Sequence, residues 1–198
     1  TTASNNTAVG ASALGANTTG AGLTAVGKNS LAANTTGNLN VAMGGSALAS
    51  NTTGTQNVGI GVNALNANTT ASNNTAVGLN SLLSNTTGEY NTAVGSESLD
   101  ANTTGVRNTS IGWSSLGSLT TGNYNTALGM QTLDATTTQS NNTAAGYNAL
   151  NQNTASNNTA VGYEALKANT TGSENTAIGQ IAMDANTTGS ANVAIGQS

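Results

Sequence analysis

Seven acidic and three basic side chains are all the charged groups that 198 residues offer, and histidine and cysteine are absent. The acids are Glu89, Glu97, Asp100, Asp134, Glu164, Glu174 and Asp184. Glycoside hydrolysis needs two carboxyl groups across one cleft, and these acids are scattered along the chain. Calcium needs roughly six to eight oxygens close together. Asp100, Asp134 and Asp184 do recur at one repeat position, but in non-adjacent repeats. The expectation is therefore no catalytic residue, no metal site, no cofactor and no enzyme. Lys28, Arg107 and Lys167 cannot neutralise a phosphate backbone, so no nucleic-acid partner is expected. No apolar run approaches the length of a membrane span, so no membrane contact is expected within this segment.

Two other patterns could recognise a ligand. Asn-Thr-Thr recurs at Asn17, Asn34, Asn51, Asn68, Asn85, Asn102, Asn169 and Asn186, and each is an N-x-T glycosylation acceptor. The competing reading is an Asn–Thr turn whose amides stack on one another. A stripe of large side chains, Val62, Leu79, Trp113, Met130, Tyr147 and Tyr163, is interrupted only at Ser96. Facing outward, Trp113, Met130, Tyr147 and Tyr163 could stack on sugar rings or bury against another subunit. Facing inward, they would fill a widened core.

Both patterns follow from a repeat, which has to be recognised before any element is assigned. The glycine closing each TAVG-like phrase falls at residues 10, 27, 44, 61, 78, 95, 112, 129, 146, 162, 179 and 196. Each step is seventeen residues except the one from Gly146 to Gly162, where the NTT segment has lost a threonine. We number each repeat from the residue before its TAVG-like phrase, so Asn91 is position 1 and Arg107 position 17. Position 1 is Asn in all repeats but that of Leu23. Position 2 is Thr or Val, position 3 is tiny, position 4 is apolar and position 5 is always Gly. Position 9 is Leu except at Met183, and position 12 is Asn except at Leu119 and Thr136.

The period-two pattern and β-branched residues of positions 2 to 4 read as a short strand. So short a strand is stable only when stacked on its neighbours, which makes a parallel sheet. The expected fold class is all-β: a parallel β-solenoid, or β-roll, of about twelve 17-residue coils, with residues 1–198 as a single array. The interchange of Thr with Val at position 2 suggests an inward site. Leu at position 9 would form the opposing wall, each burial contributing roughly 1.5–3 kcal/mol. Asparagine columns at positions 1 and 12 are expected to form amide ladders. Positions 6 to 11, as in SESLDA at 96–101, hold helix formers, so a short helical turn competes there with extended chain. Both ends of the sequence match the interior of a repeat, so the chain is expected to be part of a longer array.

The phrases NVAIGQS at 192–198 and NTSIGWSS at 108–115 resemble the head repeats of YadA-like trimeric autotransporter adhesins. NTAVGxxALxxNTTG also resembles repeats of bacterial and phage tail-fibre-like proteins. The likeness extends through all twelve repeats, although these are longer than the adhesin unit by an NTT-containing segment. It implies a structural solenoid of an extracellular, cell-surface or virion fibre. Its partners would be copies of itself, as a homotrimer or head-to-tail filament, and surface glycans. It carries over no active site. Two alternatives remain. One is a sugar-binding adhesin head using the position-6 stripe. The other is an ice-binding solenoid, which needs an outward threonine array that an inward position 2 would not supply.

Overall fold

The computed structural model describes residues 3–197. Twelve strands of three residues each make one sheet: β1 (Thr7–Val9), β2 (Thr24–Val26), β3 (Val41–Met43), β4 (Val58–Ile60), β5 (Thr75–Val77), β6 (Thr92–Val94), β7 (Thr109–Ile111), β8 (Thr126–Leu128), β9 (Thr143–Ala145), β10 (Thr159–Val161), β11 (Thr176–Ile178) and β12 (Val193–Ile195). They lie in sequence order, all parallel, and each pairs position for position with the next, as in Thr75↔Thr92, Ala76↔Ala93 and Val77↔Val94. The shortened coil preserves this register, with Thr143↔Thr159. No helix occurs among the described residues. The fold is thus the all-β parallel solenoid that the repeat implies. At strand spacing, twelve coils extend roughly 55–60 Å.

The facing of the strand is the reverse of what position 2 suggests. Position 3 points inward: Ala25, Ala42, Ala76, Ala93, Ala127, Ala144, Ala160 and Ala177 are fully buried. Positions 2 and 4 point outward, leaving Met43, Ile60, Ile111, Leu128, Val161 and Ile178 exposed. The cause is the thinness of the coil. The position-9 leucines, from Leu31 to Leu166, are fully buried against the back of the strand. A Cβ added to Gly59 at position 3 would lie 3.3 Å from Leu48 Cγ. Only Ala, Ser or Gly fits between strand and leucine, so the larger residues face solvent.

Positions 6 to 11 are neither helix nor strand but a run of linked turns. In the fifth coil Ser81 N–H donates to Gly78 O (3.4 Å), Leu83 N–H to Asn80 O (3.3 Å) and Asn85 N–H to Leu82 O (3.3 Å). The N–H groups between them bond other coils: Asn80 to Val62 O (3.0 Å), Leu82 to Ser98 O (3.1 Å) and Ser84 to Asp100 O (3.0 Å). This alternation requires left-handed backbone at positions 7 and 9, with φ of 56° at Asn80 and 48° at Leu82. Left-handed φ prevents helix propagation, which is why helix-forming residues make no helix here. It also costs about 1–3 kcal/mol for a residue with a side chain. At position 9 the burial of a leucine, roughly 1.5–3 kcal/mol, offsets that strain.

Candidate functional site: the outward ranks and the asparagine ladder

Repetition turns each position into a column running along the solenoid, so the candidate sites are columns rather than pockets. Among the described residues no pocket opens on the surface.

The NTT columns are structural on their inner side. Asn34, Asn51, Asn68, Asn85, Asn102 and Asn169 are fully buried. Each donates from Nδ2 to the Oδ1 of the preceding asparagine and to the position-15 carbonyl of its own coil. Asn85, for example, bonds Asn68 Oδ1 at 3.0 Å and Gly88 O at 2.9 Å. Asn17 and Asn186 are half-buried and bond Gly20 O (3.0 Å) and Gly189 O (3.0 Å) in the same way. An N-linked sugar would have to replace an amide hydrogen already engaged inside the coil. The folded array has no room for it at the six buried positions, and these asparagines form the expected turn and ladder instead. The first threonine of each NTT from Asn17 to Asn169 is also committed, as where Thr86 Oγ1 donates to Thr103 O at 3.0 Å. The second, as at Thr87 and Thr104, is exposed.

The position-1 asparagines do a different job. Asn74 Oδ1 accepts from Asn91 N–H at 2.9 Å, while Asn74 Nδ2 donates to Gly88 O at 2.8 Å. The Gly88 carbonyl is thereby held by two amides of its own coil, Asn74 and Asn85. Much of the core is therefore a hydrogen-bonded polar network, in which the buried Asn102 Oδ1 lacks a donor. Such networks specify a unique packing, because each missing partner leaves a costly orphan.

Column 6 faces outward, with Val62, Leu79, Trp113, Met130, Tyr147 and Tyr163 all exposed. Together with column 4 it carries most of the exposed large apolar side chains. Neither column bears a charge except at Lys28. Within the stripe, the rings of Tyr147 and Tyr163 stack 5.5 Å apart at 21°. Each tyrosine covers one face of the other.

A second aromatic group lies on column 17, where the sequence reading did not place one. Arg107 sits between Tyr90 and Tyr124, with its guanidinium carbon 5.5 and 5.6 Å from their ring centroids. It also donates to Tyr124 Oη at 2.8 Å. The signal was present in the seventeen-residue spacing of the three residues. The sandwich steadies three successive left-handed residues, with φ of 60°, 56° and 59°. Each cation–π contact contributes about 0.5–1 kcal/mol at an exposed site.

The acids are not gathered into one centre. Glu164 pairs with Lys167 at 2.8 Å, and this bond holds its carboxyl below the ordinary glutamate range. Burial raises the Asp100 carboxyl, with the charges of Glu97 and Asp134 adding to the effect. Burial also raises Asp134, against a hydrogen bond from Ser114. A raised acid favours the fold in its protonated form. The contribution of these two aspartates is therefore fully present below pH 3.8 and is lost as pH rises through their folded values.

No protein-family model, curated protein or solved structure matches the chain.

Proposed function

We propose that this chain is a structural component of an extracellular fibre or filament, a stiff spacer that displays one surface many times and associates with copies of itself. The observation that carries this reading is the unbroken register of twelve strands. It fixes every side-chain column at strand spacing along one axis and puts columns 4 and 6 on the outside. A surface repeated at that period is best matched by another surface with the same period, which a second copy supplies. A contact of this kind reaches the roughly 800 Å² per partner of a stable interface only by running along many coils. The likeness of the TAVG-like phrases to adhesin-head and tail-fibre repeats supports placing the chain on a cell surface or virion, as a homotrimer or head-to-tail filament. Display of many identical sites favours multivalent contact with surface glycans.

The test is the mass in solution by light scattering across a concentration series. Wild-type protein is expected to run at multiples of 19.2 kDa. The double variant Ile111→Lys, Leu128→Lys alters only exposed side chains and is expected to shift to the single-chain mass with its thermal transition kept. A wild-type protein that stays at the single-chain mass, or a variant that associates as before, contradicts the assignment of this face.

A second reading draws on one observation. The position-2 threonines face outward, and the nine of them make no side-chain hydrogen bond within the chain. An outward threonine column is what an ice-binding solenoid requires. The neighbouring columns vary from Ala145 to Leu128 and Trp113, which breaks the flatness that matching a crystal lattice needs, so the fibre reading is preferred. Arrest of ice recrystallisation by single-chain protein would reverse that preference.

A further inference from the structure

The solenoid is uniform along its strand side but not along its NTT edge. At the junctions from the first coil to the eleventh, the position-13 N–H donates to the position-13 carbonyl of the next coil. Thr86 bonds Thr103 O at 2.9 Å, Thr103 bonds Thr120 O at 2.9 Å and Thr154 bonds Thr170 O at 2.9 Å. The junction between the eighth and ninth coils is the exception. There Thr137 N–H and Thr138 N–H both turn back to Gln139 Oε1 of their own coil, at 2.8 and 3.0 Å.

Two further irregularities reach this place, and a third lies two junctions before it. The amide ladder runs unbroken from Asn17 to Asn102, stops at Leu119 and Thr136, and resumes from Asn153 to Asn186. Asn102 Oδ1, left facing Leu119, is buried without a donor. The ninth coil is the one that lacks a threonine. Along the NTT edge, Thr136 Oγ1 donates to Asn153 O (3.0 Å), Ser140 N–H to Ser156 Oγ (3.0 Å) and Asn157 N–H to Ser140 O (3.2 Å) across the junction. The strand side is intact: Thr126 pairs with Thr143, Asn142 N–H bonds Asn125 Oδ1 at 3.0 Å and Leu133 N–H bonds Ala149 O at 3.1 Å.

We infer that the junction between the eighth and ninth coils is a built-in flexure, at which the NTT edge opens while the sheet acts as the hinge. Opening elsewhere along this edge breaks a backbone bond, a threonine bond and, where the ladder runs, an amide bond. Here the two backbone donors keep their acceptor when the coils part, because Gln139 moves with them. Local opening is governed by such differences in what must be broken. The device gives the stack a place to bend between its eighth and ninth described coils. It rests on the fold alone and stands whether or not the fibre reading does.

Residue-resolved amide exchange by nuclear magnetic resonance tests it. After correction for intrinsic rates, Ser140 and Asn157, whose N–H groups bond across this junction, are expected to exchange at least about tenfold faster than Thr55 and Asn73, which make the equivalent bonds between the third and fourth coils. A variant carrying Gln139→Gly, with a threonine inserted after Thr154, restores the regular edge and is expected to slow exchange at Ser140 to the rate of Thr55. Equal rates in the wild-type protein overturn the inference. So does a wild-type excess that the repaired edge leaves unchanged.

Discussion

Gly95→Ala is expected to lower the unfolding free energy by about 3–5 kcal/mol, among the largest effects a single methyl group can have. Two independent causes combine. Gly95 has φ of 136°, outside what a residue with a side chain adopts readily. A Cβ there would also lie 2.5 Å from Gly112 O and 2.7 Å from Gly112 C. Both atoms belong to the backbone of the next coil, so relief requires separating two paired strands. Position 15 separates the two causes: a Cβ at Gly88 would crowd Gly105 O just as closely, yet Ala71, Gln139 and Ala155 replace glycine at that position, whereas position 5, which adds the left-handed φ, is glycine in every repeat. Chemical denaturation of the variant, followed by circular dichroism, checks the prediction. A loss below about 1 kcal/mol would mean that adjacent coils do not approach as closely at this corner.

The second large effect separates inside from outside. Leu65→Ala is expected to cost about 2–5 kcal/mol, because Leu65 is fully buried and the coil has little freedom to collapse around the space left. Ile60→Ala, five residues earlier, removes carbon from a side chain 37% exposed and is expected to cost under about 1 kcal/mol in dilute protein. Melting of the two variants beside wild type measures the difference. Equal losses, or a larger loss for Ile60→Ala, would place column 4 in the core and reverse the strand.

Period, parallel pairing and amide ladder were legible in the sequence, because each depends only on what recurs. A strand that repeats every seventeen residues has one economical partner, its own next copy. Asparagine held at one position is explained by the amide above and below it. The facing of the strand was legible too, but through size rather than hydrophobicity. Position 3 never exceeds alanine or serine, which marks a space that admits nothing larger. Position 4 ranges from Ala145 to Met43, as a side chain free to vary would. Weighing the apolarity of Val and Ile more heavily than the constancy of Ala leads to the wrong face. In a coil this thin, one leucine per turn fills the apolar interior and the strand contributes little beyond its backbone.

The arc from position 6 to position 11 was less legible. Its residues favour helix in isolation, and nothing local announces the left-handed φ values that the coil imposes on them. The constraint comes from the neighbours, since every second N–H must reach a carbonyl of another coil. The position-6 stripe was visible as a column, whereas the stacking of Tyr147 on Tyr163 required coordinates. The acceptor pattern at Asn85 and Asn102 was likewise visible, but the burial that engages those amides depends on the closure of the coil.

The most direct test of the central claim, a rod whose columns run along its length, is electron cryomicroscopy of the assembled protein with analysis of its layer lines. The account predicts filaments or rods with a repeat of about 4.8 Å along the long axis, reflecting coils stacked in the direction of extension. Compact particles, or filaments in which that spacing lies across the axis, would contradict it.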